Sequence, residues 1–210
     1  MEKKFTLLCA EGIYGLYRYA SMIAVRSQGK VELANEANRV YNFKKYGANA
    51  ALVEAQIRAV AEHFGCDEIV AVPGHTTAES RLQEIFGAKL RRTADTEPRK
   101  YNHRAEIDYK AYAATLALEP LDSKAVLVVD DICTTGKTMA FYGEYFKRRR
   151  VHATLLCVGL NHKMNPVESE HEIAIEEPEA DTGAITCLPA ARERTADFLA
   201  RMKGEFEIDE

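Results

Sequence analysis

The chain has 210 residues, 47% of them hydrophobic, which suffices for one sizeable core with a small accessory part. Its 28 Lys and Arg stand against 32 Asp and Glu, and the net charge of -4 excludes the overall basic footprint of a nucleic-acid-binding protein. Five widely spaced cysteines without a C-x-x-C pair exclude a disulfide framework and a structural zinc site, and no apolar run approaches the ~20 residues that span a bilayer.

The start, "MEKKFTLLCAEGIYGLYRYA", carries Glu11 and Arg18 where a signal peptide needs an uninterrupted apolar stretch, so a soluble, cytoplasmic protein with reduced thiols is expected. Residues up to about Tyr46 give mixed signals. Their cluster of Tyr14, Tyr17 and Tyr19 is read as packing, with a stacking cap over a flat ligand as the other use. From Gly47 the pattern sharpens. "GANAALVEAQIRAVAEHFG" places Ala51, Leu52, Ala55, Ala59, Val60 and Phe64 at helical spacings and closes on Gly65. "EIVAVPG" predicts a strand stopped by Pro73 and Gly74, and "TTAESRLQEIF" a helix with threonines suited to its N-cap. Lys89 to Arg104 is highly charged and poor in apolar residues, which predicts a long loop.

"EIDYKAYAATLAL" predicts a resumed helix, "KAVLVVDD" the most apolar strand, and "GKTMAFYGEYFKRRR" a helix whose basic end complements its dipole. Its "KRRR" is read as serving that dipole and solvent rather than nucleic acid. "ATLLCVGL" is a further strand. Beyond Asn161, "HEIAIEE" and "GAITCLP" predict short strands and "AARERTADFLARMKG" a helix. Alternating apolar runs and amphipathic stretches predict βαβ units: an α/β fold with an open parallel sheet and helices on both faces. Its core is expected over 47–160, with 1–46 and 161–210 as edge elements or a cap of the same domain.

Chemistry concentrates between Val126 and Thr138, "VLVVDDICTTGKT". A wholly apolar strand followed by two adjacent acids is poor packing design, because like charges repel and lose hydration near an interior. Ligands of open α/β sheets bind beyond the carboxyl ends of the strands, which is where Asp130 and Asp131 fall. The following "TTGKT" supplies hydroxyls, a glycine and a helix start, together a phosphate cradle. It is not the nucleotide-triphosphate P-loop, since the first glycine of G-x-x-x-x-G-K-[ST] would have to stand where this chain has Asp131. Acids ahead of a phosphate cradle suit a phosphorylated sugar. The competing reading makes the acids cap and turn residues.

Over these residues the chain resembles the 5-phosphoribosyl-1-pyrophosphate (PRPP) signature of the type I phosphoribosyltransferases, matching each defining position. The resemblance implies that family's fold, with a small hood from the terminal segments. It also implies transfer of the 5-phosphoribosyl group from PRPP to a nitrogenous base with release of pyrophosphate. Asp130 and Asp131 would bind the ribose hydroxyls, and Thr134, Thr135, Gly136, Lys137 and Thr138 the 5-phosphate. "VPGHT" falls where the family keeps its pyrophosphate loop, giving Gly74, His75 and Thr76 to that group, although His75 reads equally well as a solvated loop residue. The charged stretch falls where the family keeps a catalytic flap, so Arg99 and Lys100 would act in catalysis and His103 and Arg104 would help hold pyrophosphate. A merely solvated loop is the alternative there.

Mg²⁺ is the implied cofactor, held mainly by PRPP with Asp130 or Asp131 as its protein contact. The implied partners are PRPP and a small base, without membrane or nucleic acid, in a chain that could form a homodimer. Cys133 has no neighbouring base in sequence and is read as a spectator. Enzymes of the family acting on 6-oxopurines place an aspartate where this chain has Thr134, which argues against hypoxanthine or guanine. "AVPGHTT" and "YNHRAEI" loosely resemble motifs of the ComF-type proteins linked to DNA uptake, whose N-terminal zinc cysteines are absent here. The reading of different class is a PRPP-binding regulator, or such a DNA-uptake protein, with little or no catalysis.

Overall fold

The computed structural model describes residues 3–20, 31–95, 107–161 and 165–176. Eight strands and five helices are described: β1 (Lys3–Ala10), β2 (Ile13–Tyr19), α1 (Val31–Tyr46), α2 (Ala50–His63), β3 (Glu68–Ala71), α3 (Arg81–Phe86), β4 (Leu90–Arg92), α4 (Tyr109–Ala114), β5 (Leu116–Leu118), β6 (Ala125–Cys133), α5 (Lys137–Lys147), β7 (His152–Asn161) and β8 (Ser169–Ile175). Six of the strands form one sheet in the order β3-β6-β7-β2-β1-β8.

The sheet is mostly parallel rather than wholly so. β3, β6, β7 and β2 run parallel, as crossover helices require. β1 and β2 are instead joined by the two residues Glu11 and Gly12, both at positive φ (51° and 75°), and so short a link forces an antiparallel hairpin. β8 then adds antiparallel to β1. The terminal segments thus extend the sheet: β2 lies inside it, between β7 and β1, and β8 forms one edge.

β6 shows why its apolar run is unbroken. Leu127 and Val129 pack on the face covered by α1 and α2, with Val40, Phe43, Val53, Ile57 and Val60. Val126 and Val128 pack on the opposite face with Phe141, Tyr142, Tyr145 and Phe146 of α5. A strand covered on both faces cannot alternate apolar with polar residues. In α2 the buried stripe is Val53, Gln56, Ile57, Val60 and Ala61, rotated from the expected stripe, of which only Val60 is fully buried.

Three local expectations are corrected. Helix α3 is capped by Ser80, not by the threonines, through a reciprocal capping box with Gln83 that satisfies two backbone N–H groups at once. The stretch after Lys89 is not loop from its start, because β4 pairs with β5 in a separate two-stranded ribbon. The helix expected to run through Leu118 stops after Ala114 for the same reason: Leu116 and Leu118 are claimed by β4. "GAITCLP" and "AARERTADFLARMKG" lie outside the described residues. Among the described residues no helix is long and apolar enough to cross a membrane.

Candidate functional site

Parallel strands end on one side of a sheet, and here the ends of β2, β3, β6 and β7 surround a cleft of about 500 Å³. β3 delivers the turn of Val72, Pro73, Gly74 and His75, pinned by the Val72 N–H donating to the Val129 carbonyl at 2.8 Å. β6 delivers both acids and the loop into α5, β2 delivers Tyr19, and β7 delivers Asn161. Gly74, His75, Asp130, Asp131, Thr134, Thr135, Gly136, Lys137 and Thr138 all line this one cleft. Thr76 is exposed and does not line it. Arg99, Lys100, His103 and Arg104 lie outside the described residues.

β6 continues through both acids to Cys133, so Asp130 and Asp131 are strand residues and the cap position of α5 belongs to Gly136. That removes the reading of the acids as helix caps. The Asp131 backbone N–H donates to Asp130 Oδ1 at 2.8 Å, and Lys44 Nζ lies 2.8 Å from Asp131 Oδ2. Burial, reinforced by the charge of Asp131, pushes the Asp130 carboxyl up to about 7, against the opposing pull of the Asp131 N–H and Lys44. At Lys44 burial works against the charge, but the Asp131 carboxylate outweighs it and the ammonium titrates above its ordinary value.

Gly136 occupies the left-handed region (φ 75°) at the start of α5, where no side chain caps the first turn. The uncapped N–H groups of an 11-residue helix therefore open beside Thr134, Thr135 and Thr138, which is the chemistry an anion needs. A Cβ at Gly136 would stand 3.3 Å from both Asn165 Oδ1 and Ile13 Cδ1, so the close fit and the backbone angle both demand glycine. Buried Asn165 holds the loop from behind, its amide donating to the carbonyls of Thr134 and Asn161, each at 3.0 Å. Cys133 is buried against Cys157, whose hydrogen bond draws the Cys133 thiol below its usual range, while burial pushes Cys157 well above.

Of the cluster Tyr14, Tyr17 and Tyr19, Tyr17 is buried with its hydroxyl donating to Gln56 Oε1 at 2.7 Å, Tyr14 packs on Phe64 with ring centroids 4.6 Å apart, and Tyr19 alone of the three lines the cleft. In the basic run, Arg148 pairs with Glu144 at 2.7 Å and Arg149 stacks over Tyr145. Sequence reasoning missed Lys44, Asn165 and Arg92, the last of which holds the Gly74 carbonyl at 3.0 Å. None stands within a local motif. Compared with known proteins, the chain matches no family model and no curated protein.

Proposed function

We propose that the chain is a type I phosphoribosyltransferase that transfers the 5-phosphoribosyl group of PRPP to a nitrogenous base and releases pyrophosphate. The observation that carries this reading is the convergence, in one cleft, of an acid pair, an uncapped helix N-terminus at a left-handed glycine, and the Gly74–His75 turn. This set of groups suits a phosphorylated sugar bearing a second anion. Asp130 and Asp131 accept hydrogen bonds from the ribose hydroxyls, Thr134 to Thr138 hold the 5-phosphate, and Gly74 and His75 face the pyrophosphate. Arg99, Lys100 and Arg104 would supply cations to that group, as the resemblance implies.

Bond breaking builds positive charge on the ribose and negative charge on pyrophosphate, so carboxylates under the sugar and cations around the leaving group stabilise both at once. In binding, Lys44 gives up Asp131 to the sugar. Mg²⁺, when bound, neutralises pyrophosphate oxygens. The ion would be held mainly by the substrate, with Asp130 or Asp131 as its protein contact.

The test is pyrophosphate release from PRPP and Mg²⁺ across a panel of nucleobases: release with one base class is expected. A second reading draws support from the Lys44–Asp131 pair, which occupies one of the two acids. In that reading the protein is a PRPP-binding regulator, and PRPP binding without release by any base would establish it over catalysis. Failure to bind either PRPP or ribose 5-phosphate would overturn both.

A further inference from the structure

Arg92 is the one fully buried charged side chain among the described residues, 5% exposed at the end of β4. Its Nε donates to the Gly74 carbonyl at 3.0 Å, one terminal nitrogen donates to Thr115 Oγ1 at 2.6 Å, the other donates to the Tyr112 hydroxyl, and the guanidinium lies 4.2 Å from the Tyr112 ring centroid. Every one of these partners is neutral. Burying a cation without a carboxylate is costly, and hydrogen bonds to neutral acceptors repay only part of the lost hydration. Such a charge is suited to a counter-ion that arrives with the ligand.

The geometry of Gly74 shows where that ligand would sit. Its peptide is trans, as are all those described, so the Gly74 carbonyl and the His75 N–H point in opposite directions. Holding the carbonyl on Arg92 therefore fixes the direction of the His75 N–H, opposite to it, in the turn that lines the cleft. A residue on the ribbon beside the sheet thereby fixes the orientation of a peptide at the end of β3.

We infer that Arg92 is the positioning cation of an anion subsite at the Gly74–His75 peptide, and that this subsite takes pyrophosphate. The identity of the anion rests on the proposed function. The orientation of the peptide does not. Arg92, which pairs with no carboxylate among the described residues, acts through Gly74 and through its charge, without touching the reacting atoms.

The experiment titrates inorganic pyrophosphate and ribose 5-phosphate separately into wild type, Arg92→Met and Arg92→Lys, with melting temperatures recorded for each. Wild type is expected to bind both. Arg92→Met should weaken pyrophosphate by at least about tenfold while ribose 5-phosphate stays within about threefold. Arg92→Lys keeps the charge but cannot reach all three acceptors, so it should fall between. Should Arg92→Met fail to fold, Thr115→Val, which removes one acceptor only, should give the same contrast at smaller amplitude. Unchanged pyrophosphate affinity in a folded variant, or a parallel loss of both ligands with a falling melting temperature, would overturn the inference. So would wild type that binds ribose 5-phosphate but not pyrophosphate. Wild type that binds neither would instead overturn the proposed function.

Discussion

In the proposed function Asp131 serves two partners in turn, the Lys44 ammonium before binding and a sugar hydroxyl after it. Asp131→Asn preserves shape and removes the charge. Lys44 is half exposed, so losing the pair should change folding stability by less than about 1 kcal/mol. Ribose 5-phosphate affinity should fall by at least about tenfold, because a charge-assisted acceptor is lost; calorimetry showing equal affinity would remove Asp131 from the sugar site. Asp130 gives a second prediction, in pH. Its carboxyl titrates at about 7 when folded against an ordinary value of 3.8, so between those limits the folded state binds the extra proton. Stability is then greatest below the unfolded value and declines as pH rises toward 7. Asp130→Asn cannot titrate, and its melting temperature should fall less steeply from pH 5 to 7.5; parallel curves for the two proteins would contradict the assignment. The acids and the loop were legible because they are contiguous and their residue types serve one ligand. Lys44 reaches the cleft, and Asn165 and Arg92 hold the loops that line it, from distant segments, where a lysine in a helix or an asparagine in a loop carries no local signal.

Among the elements, α1 brings Lys44 to the acids because β7 lets it come close. Gly159 of β7 faces Val40 of α1, one turn before Lys44, and a Cβ there would stand 2.6 Å from Val40 Cγ1 and 3.1 Å from Tyr19 Cβ. Gly159→Ala should therefore push α1 outward, lowering stability by about 1–3 kcal/mol in denaturant unfolding and loosening Lys44 from Asp131. Adding Val40→Ala should restore part of the loss, and a double variant no better than the single one would show that this contact is not the cause. β6 could be read from the sequence because burial on both faces leaves an unbroken apolar run. β4 and β5 could not, since each is three residues long and exists only through the other. The stripe of α2 was misjudged because alanines fit any face, and the branched residues Val53 and Ile57 mark the buried one.

At the scale of the whole molecule, the proposed function asks an acidic protein to receive a polyanion. Net charge is -4, and the cleft itself holds Asp130 and Asp131 beside Lys44, Arg81 and Lys137. The net charge supplies no overall attraction for a polyanion, so PRPP binding should depend on a divalent ion that masks pyrophosphate. Chelating Mg²⁺ is expected to weaken PRPP by at least about tenfold and ribose 5-phosphate far less, and metal-free PRPP binding at full affinity would show that protein cations suffice. The strand order also sets a timetable. β2 pairs with β7 from Ile13↔Leu155 onward, a separation on the order of 140 residues, and β1 waits still longer for β8. At typical synthesis rates of about 5–20 residues per second the hairpin made first spends roughly 7 to 28 s on the ribosome with both edges open. Such distant pairing slows folding and exposes strand edges to other chains. The hairpin's charged edge residues Lys4 and Arg18, which later meet Glu172 and Glu170 of β8, keep that waiting edge soluble until its neighbours are made.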